Sequence, residues 1–332
     1  MNKEFMALVT EEVEENKFVK RIMKRAIEEI PDNHTLVRVH YSSLNYKDAL
    51  SARGHKGITR HYPHTPGIDA AGIIEVTDSS SFNVGDEVIV TGYDLGMDTN
   101  GGFGEYIIVP DEWIVSKPRN LTLLESMIYG TAGFTAAICV YEIIKSDIER
   151  KSGKILVTGA TGGVGSIATA ILSKLGYDVV CSTGKKEQSE FLYKLGAQEI
   201  IDRKELEQSS SKPMTSAKWS AVVDNVGGVT LENAIKSVKM HGVICVLGNV
   251  SGDYFSSSVY PFLLRGIKLI GIDSASKDMT LRKYLWEQLS DNWKIDILND
   301  IYKEVKLSEL SHEIDKILSG EQVGRVVLKH NF

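Results

Sequence analysis

Apolar and polar positions change rhythm once along the chain. Residues 36–41 alternate or run apolar, and further short β-like pieces follow at 72–76, 87–91 and 106–109. Turn chemistry separates them, including Asn83-Val84-Gly85-Asp86 and Asn100-Gly101-Gly102, so this half predicts a mostly antiparallel β domain. Near Leu121 the period becomes helical. Residues 126–144 are apolar on nearly every face, interrupted by Gly130-Thr131-Ala132-Gly133, which predicts a buried helical connection. Apolar runs then recur at 154–158, 177–182, 199–201, 221–225, 243–248 and 267–272 with helical segments between them, six strands as a doubly wound parallel sheet requires. Ligands of such a sheet bind at the strands' carboxyl ends. The polar run 208–216, with Pro213, predicts a surface loop, and 324–328 a terminal strand that returns to the β domain.

The stretch Ile155-Leu156-Val157-Thr158-Gly159-Ala160-Thr161-Gly162-Gly163-Val164-Gly165-Ser166 carries the clearest chemistry. An apolar strand runs into a glycine cluster and then into helix-compatible spacing. Glycine there lets the backbone turn sharply and lets a pyrophosphate approach the N–H groups of the helix N-terminus. In the register Ala160-x-Gly162-x-x-Gly165 the first glycine of the dinucleotide fingerprint is an alanine. The next strand, 176–182, completes a βαβ unit. An NAD enzyme places Asp or Glu at that strand's carboxyl end to bond the ribose 2′-hydroxyl. Here Asp178 lies at the other end, and Ser182-Thr183-Gly184-Lys185-Lys186 offers two hydroxyls and two lysines, which suit a 2′-phosphate and predict NADPH.

At 332 residues the chain suits two domains, and 42% apolar with 25% charged residues is ordinary for a globular protein. The net charge of −6 gives a nucleic-acid backbone no broad basic face. The charged first 17 residues lack the apolar core of a secretory signal, and no apolar run reads as a membrane span, so a cytoplasmic protein without a membrane partner is expected. Cys139, Cys181 and Cys245 each sit in an apolar segment and read as small buried hydrophobes.

Four further stretches give the chain a family likeness: residues 42–50 (Ser-Ser-Leu-Asn-Tyr-Lys-Asp-Ala-Leu), Pro66-Gly67-Ile68-Asp69, 130–136 (Gly-Thr-Ala-Gly-Phe-Thr-Ala) and Pro261-Phe262-Leu263-Leu264-Arg265. With them the chain resembles the zinc-independent medium-chain dehydrogenase/reductases, in the quinone-oxidoreductase-like branch of YhdH/YhfP-type proteins and acryloyl-CoA reductases. The resemblance implies a Rossmann domain over residues 122–297 and a GroES-like β domain formed by 1–121 and 298–332, with the active site in the cleft and a homodimer. It implies that Tyr46, Asp48 and Asp69 are the polar residues of that cleft, and Asn45 can donate an amide hydrogen bond to a carbonyl oxygen. Without the resemblance, Tyr46 reads as an ordinary half-buried core aromatic and Asp48 as a helix cap. Zinc members carry Cys where Asn45 stands and His where Ile68 stands, so no metal is expected. His61 and His64 flank Pro63 and read as a solvated loop rather than a ligand pair.

On the cofactor side, Gly162, Gly163 and Val164 are expected at the pyrophosphate, and Ser182, Thr183 and Lys185 at the 2′-phosphate. Arg203 follows the third strand, where related enzymes contact the adenosine, and Thr131, Leu247 and Asn249 are expected near the nicotinamide. The implied activity is NADPH-dependent hydride transfer to the activated C=C of a short 2-enoyl-CoA. The alternatives are reduction of free quinones or enones, or a protein that binds NADPH without turnover. Lys47, Arg53, Lys56 and Arg60 against Asp48 give residues 47–61 a local charge of +3, read either as a seat for CoA phosphates or as a solvated basic loop.

Overall fold

The computed structural model describes residues 3–208 and 210–332. The chain begins with a long antiparallel hairpin of β1 (Glu4–Glu14) and β2 (Lys17–Ala26). Charge conceals these strands in the sequence, because acids on β1 meet bases on β2: Glu4 with Lys24 at 2.8 Å and Glu14 with Lys17 at 3.2 Å. Asn16, at φ 57°, turns the chain between them. Five strands follow: β3 (His34–Ser43), β4 (Asp69–Val76), β5 (Glu87–Thr91), β6 (Tyr106–Pro110) and β7 (Ile114–Ser116). Their inward faces bury Val37, Val39, Ala70, Ile74, Val88, Val90 and Ile107 in one apolar cluster.

Six strands then form a parallel sheet: β8 (Lys154–Thr158), β9 (Val179–Thr183), β10 (Glu199–Asp202), β11 (Trp219–Asp224), β12 (Val238–Val246) and β13 (Lys268–Gly271). Their order is β10-β9-β8-β11-β12-β13, the doubly wound order with its switch point at β8/β11. These strands are read easily from sequence because β9 and β11 are buried along their whole length and so are apolar almost without interruption. The last two strands are β14 (Tyr302–Val305) and β15 (Arg325–Lys329). β15 lies parallel to β14 and antiparallel to β3, so the C-terminal strand does return to the antiparallel sheet.

Two compact units result: the residues up to Thr131 with Ala275–Asp291 and Leu298–Phe332, and Ala132–Ser274 with Asn292–Ile297. Segment Ala275–Asp291 falls in the first unit, whereas the resemblance places it within the Rossmann span 122–297. Arg282, fully buried on helix Met279–Ser290, explains this. Its guanidinium donates to Thr91 O at 2.8 Å and to Ala275 O at 3.1 Å, and it lies 4.6 Å from the Tyr93 ring centre.

Helix Leu123–Lys145 corrects the expectation that no run reaches spanning length, since it is 23 residues long with a hydropathy of 1.5 in its most apolar window. That window is 78% buried inside the protein, as in a core helix. The helix is broken at Gly130, where φ is 49° and ψ is −154°.

Candidate active site

In the first unit, sheet topology delivers polar side chains to one point. β3 ends at Ser43, β4 begins at Asp69, and β15, which begins at Arg325, pairs Val327 with Ser43. The break at Gly130 completes the group, because Thr131 then has an N–H that continuous helix would have turned inward along its axis. A Cβ at Gly130 would sit 2.5 Å from Asp69 Oδ2 and 3.1 Å from Arg325 Nη2, so only glycine lets the helix approach this closely.

Asp69, fully buried, accepts four hydrogen bonds. The donors are Ser43 Oγ at 2.5 Å, Asn45 Nδ2 at 2.7 Å, Thr131 N at 2.9 Å and Thr131 Oγ1 at 2.6 Å. Four is about the capacity of an ionised carboxylate. The Asn45 amide also donates to Ser43 O at 3.2 Å, and its Oδ1 accepts from Arg325 Nη1 at 3.3 Å. A cation at the oxygen and an anion at the nitrogen fix which way the amide points. Both amide hydrogens thus have internal partners, so donation to a substrate carbonyl would require breaking one of these bonds.

Asn45 is the N-cap of helix Tyr46–Ala52. Asp48, three residues on, accepts Asn45 N at 2.8 Å and Ile68 N at 2.7 Å, which is the helix-cap role. It is fully buried, and burial, followed by the nearby Asp69 charge, pushes its pKa up to about 7 against the pull of the two N–H bonds. Tyr46 differs from these three: its side chain is exposed, at 45% of its accessible surface. The structure therefore gathers Asn45, Asp48, Asp69 and Thr131 into one bonded cluster with Tyr46 at its exposed edge. Ser43 and Arg325 belong to the cluster and were not singled out from sequence, and Gly130 was read there as an interruption of the helical run.

The positions that carry ligands in zinc members do not fit a metal here. They hold a bridged carboxamide and the buried alkyl chain of Ile68, close to a guanidinium. Among the described residues no group of three or more His, Cys, Asp and Glu side chains could hold a metal ion. His64 is buried rather than solvated, and its backbone pairs with Thr10. In the basic segment, Lys56 is paired with Glu12 at 2.7 Å and Arg60 with Asp98 at 3.6 Å.

In the second unit, the glycine turn fits a dinucleotide. The tight turn after β8 is made by Gly159, at φ 58°, one residue before the alanine that interrupts the expected register. Gly162 is the N-cap of helix Gly163–Lys174, and Gly163 and Val164 are partly exposed in its first turn, where N–H groups lack intrahelical partners. A Cβ on Gly165 would lie 2.5 Å from Gly159 O, so this glycine permits the close packing of helix on strand.

At the end of β9, Ser182 and Thr183 are buried, and Thr183 Oγ1 accepts Lys185 N at 3.0 Å. Lys186 is held by Asp202 at 2.8 Å, and Arg203, paired with Glu207 at 3.4 Å, lies across Gly184, whose added Cβ would meet its side chain at 2.8 Å. The cations at this strand end are Lys185, Lys186 and Arg203, and the Thr183 hydroxyl shapes the turn that carries them. Leu247 and the exposed Asn249 follow the carboxyl end of β12, and Leu247 N donates to Asp224 O at 3.1 Å. Asp224 is a buried residue that the sequence reading missed. It accepts Thr158 Oγ1 at 2.7 Å and Gly227 N at 2.9 Å, tying β8 to β11 at the switch point. Burial raises its pKa against those bonds.

A parallel sheet of this order carrying a glycine turn, in a chain that also forms a separate antiparallel β unit, defines the two-domain architecture of dinucleotide-dependent dehydrogenases. Residues 31–119 match the alcohol dehydrogenase GroES-like domain, and residues 163–291 match the zinc-binding dehydrogenase family. Putative quinone oxidoreductase YhfP of Bacillus subtilis is 42% identical over 303 residues, covering 91% of this chain and 92% of YhfP. Its crystal structure with NAD bound gives a TM-score of 0.95 at 40% identity, over 99% of this chain and all of that one. Acrylyl-CoA reductase AcuI of Ruegeria pomeroyi is 37% identical over 328 residues, 98% of this chain and 99% of AcuI. The yhdH oxidoreductase from Salmonella enterica, in complex with NADP, gives a TM-score of 0.94 at 34% identity, over 98% of this chain and all of that one. The chain belongs to the quinone-oxidoreductase-like branch of the medium-chain dehydrogenase/reductase superfamily.

Proposed function

We propose that the protein is an NADPH-dependent, zinc-independent reductase of a short 2-enoyl-CoA of the acryloyl-CoA kind. The observation that carries the substrate class is the likeness to AcuI along 98% of the chain. For the cofactor, a β9 carboxyl end with Lys185 and no acid favours a 2′-phosphate over a free ribose hydroxyl. Bound NADPH would supply a hydride for the substrate's β-carbon.

The chain's own part is to hold Gly162, Gly163 and Val164 against the pyrophosphate, and Lys185 with Arg203 against the 2′-phosphate. Leu247, Asn249 and Thr131 border the nicotinamide. The exposed Tyr46 hydroxyl donates to the oxygen that gains charge as the enolate forms, and Asn45, Asp48 and Asp69 hold the start of its helix from behind.

A second reading, reduction of free quinones or enones, is favoured by the likeness to YhfP and by the pairing of Lys56 and Arg60 with acids, which leaves the basic loop less charge for CoA phosphates. A cytoplasmic homodimer is also proposed. Its support is that β13 forms an open sheet edge and that Tyr260, Leu263 and Leu264, just before it in sequence, are exposed. Light scattering should give twice the chain mass, and a monomer would refute this part. Steady-state rates with acryloyl-CoA, crotonyl-CoA and small quinones test the substrate class.

A further inference from the structure

Arg325 is 2% exposed, and taking a charge so far out of water is unfavourable unless it is matched. Three segments use it. Nε donates to Ile128 O at 3.0 Å, on the helix turn before the Gly130 break, and Nη1 donates to Leu44 O at 3.2 Å and Asn45 Oδ1 at 3.3 Å. Nη2 lies 3.9 Å from Asp69 Oδ2. Burial lowers its pKa, and the titratable groups facing it, Asp69 and Asp48, oppose that by favouring the cationic form. One planar fork thus touches both sides of the cluster, a geometry that a lysine ammonium cannot copy.

We propose that Arg325 is a positioning residue: it locks the Asn45 carboxamide and counterbalances Asp69 across the helix break, so that Tyr46 and Thr131 are held in one geometry. This rests on the proposed function in one respect only, that Tyr46 and Thr131 face the reactants. If Arg325 is removed, Asp69 and Asp48 share the buried site with no cation, and the Asp69 bonds to Thr131 and Asn45 lose their fixed geometry.

The test uses Arg325→Lys, Arg325→Gln and the pair Asp69→Asn with Arg325→Gln in the full chain. Melting temperature, amide hydrogen exchange over residues 127–135, NADPH affinity and kcat are measured for each. Arg325→Gln should speed exchange in that segment by roughly tenfold or more and lower kcat by about 10²-fold, with NADPH affinity within about twofold of wild type. Arg325→Lys keeps the charge without the fork and should fall between. The double variant removes the Arg325 cation together with the Asp69 charge closest to it, so its melting temperature should recover while exchange stays fast and kcat stays low.

Recovery of kcat together with melting temperature in the double variant would reduce Arg325 to a structural ion. Unchanged exchange in every variant that loses Arg325 would overturn the proposal as well. If the single glutamine variant does not fold, the double and lysine variants decide. A wild-type protein that turns over no substrate would sink the proposed function and leave the exchange measurement to judge this inference by itself.

Discussion

Asp48 accepts the backbone N–H of Ile68 at 2.7 Å, tying the first turn of a helix to the residue just ahead of β4. Its other oxygen closes the cap at Asn45, so one buried carboxyl holds two segments that lie 20 residues apart. Its pKa, raised from 3.8 to about 7, also makes it a source of pH-dependent stability. The folded state holds a proton that the unfolded chain releases, so this contribution is fully present below pH 3.8 and is lost as pH rises through about 7. His330 acts in the opposite sense. Burial lowers its pKa from 6.5 to about 4, so its contribution is present above pH 6.5 and lost as pH falls toward 4. The two slopes oppose each other in the window they share. Replacing Asp48 by Asn should leave the histidine slope uncovered, so that stability climbs with pH by about 1.4 kcal/mol more per unit than in wild type. Urea unfolding from pH 4.5 to 6.5 reads this directly, and parallel curves would contradict it.

Tyr46 and Asn45 should respond differently to truncation. Tyr46→Phe removes an exposed hydroxyl and should lower kcat on the order of 10²-fold with NADPH affinity nearly unchanged and melting temperature intact. Asn45→Ala removes the bridge between Arg325 and Asp69, so its loss of kcat should come with a lower melting temperature. If both variants kept wild-type kcat, the reacting centre would lie elsewhere.

Cofactor choice turns on the end of β9. A charge-assisted hydrogen bond from Lys185 to a 2′-phosphate is worth roughly 1.5–3 kcal/mol, about one to two decades of binding. NADPH should therefore be preferred over NADH, and Lys185→Ala should erase most of that preference while leaving kcat/KM for NADH nearly constant. The NAD-bound structure of YhfP makes this a discriminating experiment. Equal use of the two cofactors by the wild-type protein would refute the assignment.

Zinc should be dispensable. The amide of Asn45 and the side chain of Ile68 occupy the positions of metal ligands, with Arg325 bonded to the former. Chelator treatment should leave turnover unchanged, and elemental analysis should find far less than one zinc per chain. A stoichiometric zinc required for activity would refute this.

Much of the fold was legible because burial on both faces writes a short apolar run into a strand, as at 179–181 in β9 and 221–223 in β11. The β1–β2 hairpin was not, since Glu–Lys pairing across it substitutes for apolar alternation. The glycine turn was legible, but the residue with positive φ is Gly159, and spacing counted from Gly162 assigns that role to Ala160. Asn45, Asp48 and Asp69 lie in recognisable motifs. Arg325 does not stand out at the head of an apolar strand, because the groups that justify burying a cation there come from Leu44 and Asn45 after β3, from β4 and from the broken helix, far away in sequence.

The most direct test of the account is the steady-state comparison of acryloyl-CoA with a small uncharged quinone, each with NADPH and the unmodified protein. The enoyl-CoA assignment predicts a kcat/KM for acryloyl-CoA higher by about two decades or more, in keeping with a reaction that depends on binding the whole thioester. Turnover of the quinone at an equal or greater kcat/KM would contradict it.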